Sequence, residues 1–221
     1  MKNSTDQRMA TILIVMVLAS LFLWNTVVLF PFKIFVVLLH ELSHGLAALL
    51  TGGHIVSIEL SADQGGLCTT QGGWPFFVLS AGYVGSMVWG GLILLTASRT
   101  KYDKWLSMFI GFAVIAITLL FIRSSFGFIF GVLFGTALFA IGKFATESVN
   151  DLLLRYIGLT SMLYAVFDIK DDLLSRTVAN SDASVMAEHY FGTPVMWGIL
   201  WIMSALIGAY YFVRLSLRTT R

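Results

Sequence analysis

Seven apolar runs, each about as long as a bilayer is thick, dominate this chain of 221 residues. The first covers about 9–30. The second follows a turn at Pro31-Phe32-Lys33 and runs to about 51. The others fall near 75–97, 105–122, 126–141, 151–170 and 194–213. About 20 apolar residues suffice for a helix to cross hydrocarbon, where backbone N–H and C=O groups must bond within the segment. The charges left over are too few to clothe a water-facing surface. Only 12% of residues are charged and 57% are hydrophobic, against about 25% and about 45–50% in ordinary soluble domains. The expected fold is an all-α polytopic membrane protein of about six or seven transmembrane helices, organised as one domain over 1–221 and surrounded by a lipid bilayer. Three Pro and a single Cys exclude collagen-like and disulfide-stapled classes. The net charge of +2 is scattered, so no nucleic-acid partner is expected. Lys2 and Arg8 precede the first run, but the run is too long for a signal peptide and lacks a small-residue cleavage site, so a retained span is expected.

Two stretches depart from this pattern. His54-Ile-Val-Ser-Ile-Glu-Leu60 is β-branched and extended in character. Asp63-Gln-Gly-Gly66 is turn chemistry, and Leu67-Cys-Thr-Thr-Gln71 can return as a second strand, so a short β-hairpin is expected over about 54–73. The second stretch is polar and covers about 171–191. Within it Ser181 is placed to cap a short helix running to Tyr190, and Thr193-Pro194 opens the last span. Gly127, Gly131 and Gly135 recur every fourth residue, which predicts a close helix contact on one face; a homo-oligomer seam is the alternative. With seven spans, five Lys and Arg fall on the N-terminal side and eight on the other, so the positive-inside rule places the N-terminus outside.

The second run contains His40-Glu41-Leu42-Ser43-His44, the pattern H-E-x-x-H. Residues four apart on a helix lie one above the other, so both imidazoles can reach one metal ion. Glu41, between them, is the candidate general base for the attacking water. With four His in the chain, chance predicts such a motif only about once in a thousand sequences of this composition. Ionisable groups inside an apolar helix cost about 2.5–3.5 kcal/mol each on insertion scales, which marks the three as a functional site.

Zinc in a catalytic site takes three protein ligands and a water. Asp168 is the acidic residue lying deep in an apolar run outside the second span, and is the leading third ligand. Asp171 and Asp172 follow on the same face and are its rivals. Asp182, His54 and His189 are weaker ones. Cys68 is read as a small filler residue.

These residues make the chain similar to the site-2 protease family of intramembrane zinc metalloproteases. His40-Glu41-Leu42-Ser43-His44 resembles that family's metal-binding helix. Gly45-Leu-Ala-Ala-Leu-Leu-Thr-Gly52 and the hairpin His54 to Gln71 resemble its usual sequel, a membrane-associated β-hairpin. Ser80-Ala-Gly-Tyr-Val-Gly-Ser86 looks like the family's A-G-P-x-x-N helix, with Tyr83 in place of the Pro and Ser86 in place of the Asn. The match is to the small divergent bacterial branch without a PDZ or CBS domain. Asp168 takes the place of the family's ligand Asp, though set in Phe167-Asp168-Ile169 rather than before a glycine.

The resemblance implies Zn²⁺ as cofactor and a cut within or beside the transmembrane segment of a membrane-protein substrate. It also implies a bacterial cell membrane and a site toward the cytoplasmic leaflet, opposite to the charge count. A helical substrate must unwind to expose its carbonyls, and the edge at Ile55, Val56, Ser57 and Ile58, continuing to Leu60, is the candidate surface for pairing with the freed strand. Two other readings stay open. One is a membrane metallohydrolase acting on a lipid amide or ester. The other is a non-enzymatic metal transporter or scaffold, against which stands the lack of acidic or His residues in the cores of the third, fourth and fifth spans.

Overall fold

The computed structural model describes residues 2–170 and 181–217. Among them the chain forms helices α1 (Lys2–Leu23), α2 (Phe30–Leu50), α3 (Pro75–Arg99), α4 (Asp103–Phe121), α5 (Ser125–Phe144), α6 (Glu147–Lys170), α7 (Asp182–His189) and α8 (Pro194–Leu217). Strands β1 (His54–Leu60) and β2 (Gly66–Gln71) form the expected hairpin. Six helices, α2 to α6 and α8, are long and apolar enough to cross a membrane. The apolar part of α1, Gln7–Leu23, is shorter. The helical membrane class and the number of spans expected from the sequence are both present.

The boundary between the first two runs differs from expectation. Helix α1 stops at Leu23, because the Thr26 backbone N–H and hydroxyl both donate to the Leu23 carbonyl, at 2.9 and 2.7 Å. The turn is therefore made by 24–29. Pro31 sits instead in the first turn of α2, where a missing N–H breaks no helical bond. At its other end α2 is closed by Thr51 and by Gly52 at φ +87°, a conformation that favours glycine.

Helix α3 is central, packing against α2, α6 and α8. Its contact with α6 is close because Gly90 and Gly158 face each other: a methyl on Gly158 would stand 2.6 Å from the Gly90 carbonyl. Arg155 of α6, 1% exposed, joins the same pair. Its Nε donates to Asp151 Oδ1 at 2.7 Å and its Nη1 to Ser98 Oγ at 2.8 Å. Helices α4 and α5 form a second tight pair. There the glycine face of α5 meets α4, with Gly131 against Thr118 and Gly135 against Ile115, so the glycine repeat serves a helix contact within the chain.

The hairpin is antiparallel, with Ile58 opposite Cys68 and Leu60 opposite Gly66, and carries a register irregularity between Ile55 and Ser57. It folds back over α2. Ile55 and Cys68 pack on Gly45, and Gly66 packs on the Glu41 side chain. The outer edge of β1 is covered in its second half. The Ile58 carbonyl accepts from the Arg123 N–H at 3.0 Å, and the Ser124 hydroxyl bonds both the N–H and the carbonyl of Leu60, at 2.9 and 2.8 Å. Burial explains the arrangement, since Ile58 and Leu60 are core residues.

Candidate metal centre

Helix α2 carries His40, Glu41 and His44 on one buried face; each is less than 10% exposed. Both imidazoles turn toward α3, which can approach only because Gly82 has no side chain: a methyl there would overlap His40 Nε2 and stand 2.6 Å from His44 Nε2. The Tyr83 ring packs edge-on against His40, with centroids 4.8 Å apart. His44 Nδ1–H donates to the Val78 carbonyl of α3 at 2.7 Å. That bond leaves the Nε2 lone pair of His44 free to point into the cavity.

The residue both imidazoles face is Asp182, the first residue of α7. Its Oδ2 lies 3.2 Å from His40 Nε2 and 3.3 Å from His44 Nε2. The sequence supplies the means. Ser181 caps α7 by accepting from the Ser184 N–H at 3.3 Å, as the cap pattern predicts. Ala183 and Met186 then anchor the helix among Tyr83, Trp197 and Trp201. Burial by itself would raise the Asp182 carboxyl. The His44 and His40 imidazoles facing it overcome that and hold it well below the usual carboxylate range.

Among the described residues, His40, His44 and Asp182 form the one group of ligand-type atoms close enough to share an ion. The donor set fits. Ligands about 2.0–2.1 Å from a tetrahedral zinc stand about 3.3 Å from one another, and the two Asp182 distances match that edge.

Asp168 lines the same cavity, as its position in the sixth apolar run predicts, but it meets His40 from the other ring nitrogen: Asp168 Oδ2 is 3.9 Å from Nδ1. Asp171 and Asp172 lie outside the described residues. His189 is exposed and donates from Nδ1 to its own helix at Val185, and neither it nor His54 lines the cavity. Asp182, the weaker rival in the sequence, is thus the carboxylate that faces both Nε2 atoms, while Asp168, the leading candidate, stands at His40 Nδ1. The signal for Asp182 was faint, a lone carboxylate after a capping Ser, which is also what an ordinary helix start looks like.

Glu41 lodges against the outer edge of β2. Its carboxylate lies beside the Cys68 backbone N–H, and Gly66 gives it room. The Cys68 thiol, half-buried and close to Glu41, is pushed up to about 12. The cavity that Glu41 shares with the imidazoles measures about 450 Å³ and includes Gly66, Cys68 and Thr70 of β2. Ile55 to Ile58 of β1, expected to present a pairing edge, do not line it.

A multi-pass helical membrane protein, with an H-E-x-x-H helix and a carboxylate facing both imidazoles, is the class that fold and site define. The chain belongs to the Peptidase M50B-like family, whose pattern matches residues 13–212, and so to the site-2 protease family of membrane metalloproteases. No curated protein and no solved structure matches it.

Proposed function

We propose that the protein is a zinc-dependent intramembrane endopeptidase, cutting a membrane-protein substrate within or beside its transmembrane segment. The observation that carries this reading is the placing of Asp182 Oδ2 at tetrahedral-edge distance from both His40 and His44, with Glu41 in the same cavity. His40, His44 and Asp182 would hold the zinc. Bound there, zinc supplies Lewis acidity that makes water nucleophilic near neutral pH and polarises a carbonyl. Glu41 takes the proton of the attacking water and delivers it to the leaving amine nitrogen as the peptide bond breaks.

The peptide would lie along β2 rather than β1. Ile58 and Leu60 turn their backbone groups outward to Arg123 and Ser124. In an antiparallel ladder their partners Cys68 and Gly66 then also turn theirs outward, on the opposite edge. That edge faces the cavity, and pairing with it compensates the backbone groups that a substrate helix exposes on unwinding. The strand edge supports a peptide over a lipid amide or ester. A site toward the cytoplasmic leaflet of a bacterial membrane belongs to the same proposal.

The test is Glu41→Gln in purified full-length protein. Zinc content is expected to stay at the wild-type level while cleavage of a transmembrane reporter peptide falls by about 10²–10⁴-fold. Undiminished cleavage would refute the mechanism, and turnover of lipid amides in place of peptides would establish the lipid reading.

A further inference from the structure

Two carboxylates approach His40, one at each ring nitrogen. Asp182 Oδ2 is 3.2 Å from Nε2, and Asp168 Oδ2 is 3.9 Å from Nδ1. A neutral imidazole offers one lone pair and one N–H, so each carboxylate has a different task. His44 supplies the pattern: its Nδ1–H is taken by the Val78 carbonyl and its Nε2 faces Asp182. If His40 also presents Nε2 to the shared ion, its Nδ1 carries a hydrogen and needs an acceptor.

We infer that Asp168 is a positioning residue for His40, accepting the Nδ1–H and fixing the ring with Nε2 toward Asp182, while Asp182 completes the ligand set. The inference rests on the proposed zinc reading and adds a division of labour between the two acids. The distances support it. The Asp182 oxygen reaches both Nε2 atoms at the spacing of ligands around one ion, whereas the Asp168 oxygen stands against the nitrogen directed away from that ion. The 3.9 Å separation is longer than a hydrogen bond, and a movement of about 1 Å as His40 takes up its ion closes it. A carboxylate on the far nitrogen raises the basicity of a ligating His and fixes its tautomer, and its loss typically weakens metal affinity by about 10–100-fold.

The experiment measures zinc affinity by chelator competition, and the visible spectrum after Co²⁺ substitution, for the full chain and three variants. Wild type is expected to hold one ion. Asp168→Ala should retain one ion and a four-coordinate Co²⁺ spectrum with affinity lowered by about 10–100-fold. Asp168→Asn, whose amide oxygen still accepts a hydrogen bond, should recover most of that loss. Asp182→Ala should change the Co²⁺ coordination itself. Unchanged affinity in Asp168→Ala, or no recovery with Asn, would overturn the positioning role while leaving the zinc reading intact. So would an exchange of the two phenotypes, with Asp168→Ala altering coordination and Asp182→Ala sparing it. A wild-type chain that binds no ion would overturn both.

Discussion

Glu41 and Cys68 lie close together, which places a thiol beside a carboxylate. Burial first, and the Glu41 charge second, push that thiol up to about 12. A raised thiol pKa favours the neutral form, so little nucleophilic thiolate exists at pH 8. The single cysteine is expected to alkylate roughly two to three orders of magnitude more slowly in the folded protein than after denaturation, with a rate that keeps rising past pH 10. Stopped-flow labelling at several pH values measures this. Glu41→Gln removes the charge but not the burial, so labelling of Cys68 should speed up yet stay below the denatured rate. The other residue-scale constraint is Gly82. A methyl there has no place beside His40 and His44, so Gly82→Ala should lower zinc affinity by at least about tenfold through displaced ligands, as chelator competition would measure. An unaltered affinity would mean that α3 and α2 can part without disturbing the imidazoles.

At the scale of elements, the hairpin is held at one edge and left open at the other. Ser124 bonds both backbone groups of Leu60, so Ser124→Ala removes two hydrogen bonds worth about 1 kcal/mol each. Faster hydrogen exchange at 58–60 and weaker peptide cleavage are expected, with zinc content unchanged. Thr70→Pro tests the open edge instead: removing that N–H should impair peptide cleavage and spare zinc. The hairpin itself was readable from the sequence, because β-branched runs flanking Asp63-Gln-Gly-Gly66 have a local cause. The H-E-x-x-H helix was readable for the same reason, since its spacing lies within one turn. Which edge of the hairpin stays open was not readable. It depends on 122–124, more than 60 residues away, arriving at β1. Asp182 ranks only as a weaker rival in the sequence for a similar reason. Helix α7 has eight residues and buries only Ala183 and Met186, too few to show a periodic face, so nothing local pointed its first carboxylate at α2. Asp168, the leading third-ligand candidate from its setting in an apolar run, does line the cavity, but it stands at His40 Nδ1 rather than before both imidazoles.

In the whole molecule the site is assembled from four helices. Helix α2 brings the imidazoles, α3 brings Gly82 and the Val78 carbonyl, α6 brings Asp168, and α7 brings Asp182. The α3–α6 contact is fixed at a distance from the cavity by Gly90 against Gly158 and by Arg155 reaching Ser98. Lipid supplies no hydrophobic drive between helices, so such contacts rely on close backbone approach and buried hydrogen bonds. A methyl at Gly158 would meet the Gly90 carbonyl at 2.6 Å and Leu94 at 2.9 Å, forcing α3 and α6 apart. Gly158→Ala is therefore expected to reduce zinc affinity although the residue touches no ligand, because the helix carrying Gly82 and Val78 moves relative to the one carrying Asp168. Arg155→Ala should act on stability more directly. It removes the Arg155–Asp151 ion pair and opens a cavity, a loss on the order of 3 kcal/mol for a largely buried pair. Together the two variants separate geometry from stability. If site assembly depends on the spacing of α3 and α6, Gly158→Ala should weaken zinc binding by more than its drop in melting temperature would account for. Arg155→Ala should lower the melting temperature of the detergent-solubilised protein while sparing zinc affinity in the molecules that remain folded. Equal losses of affinity and melting temperature in both would mean that zinc binding tracks overall stability, and the spacing argument would fail.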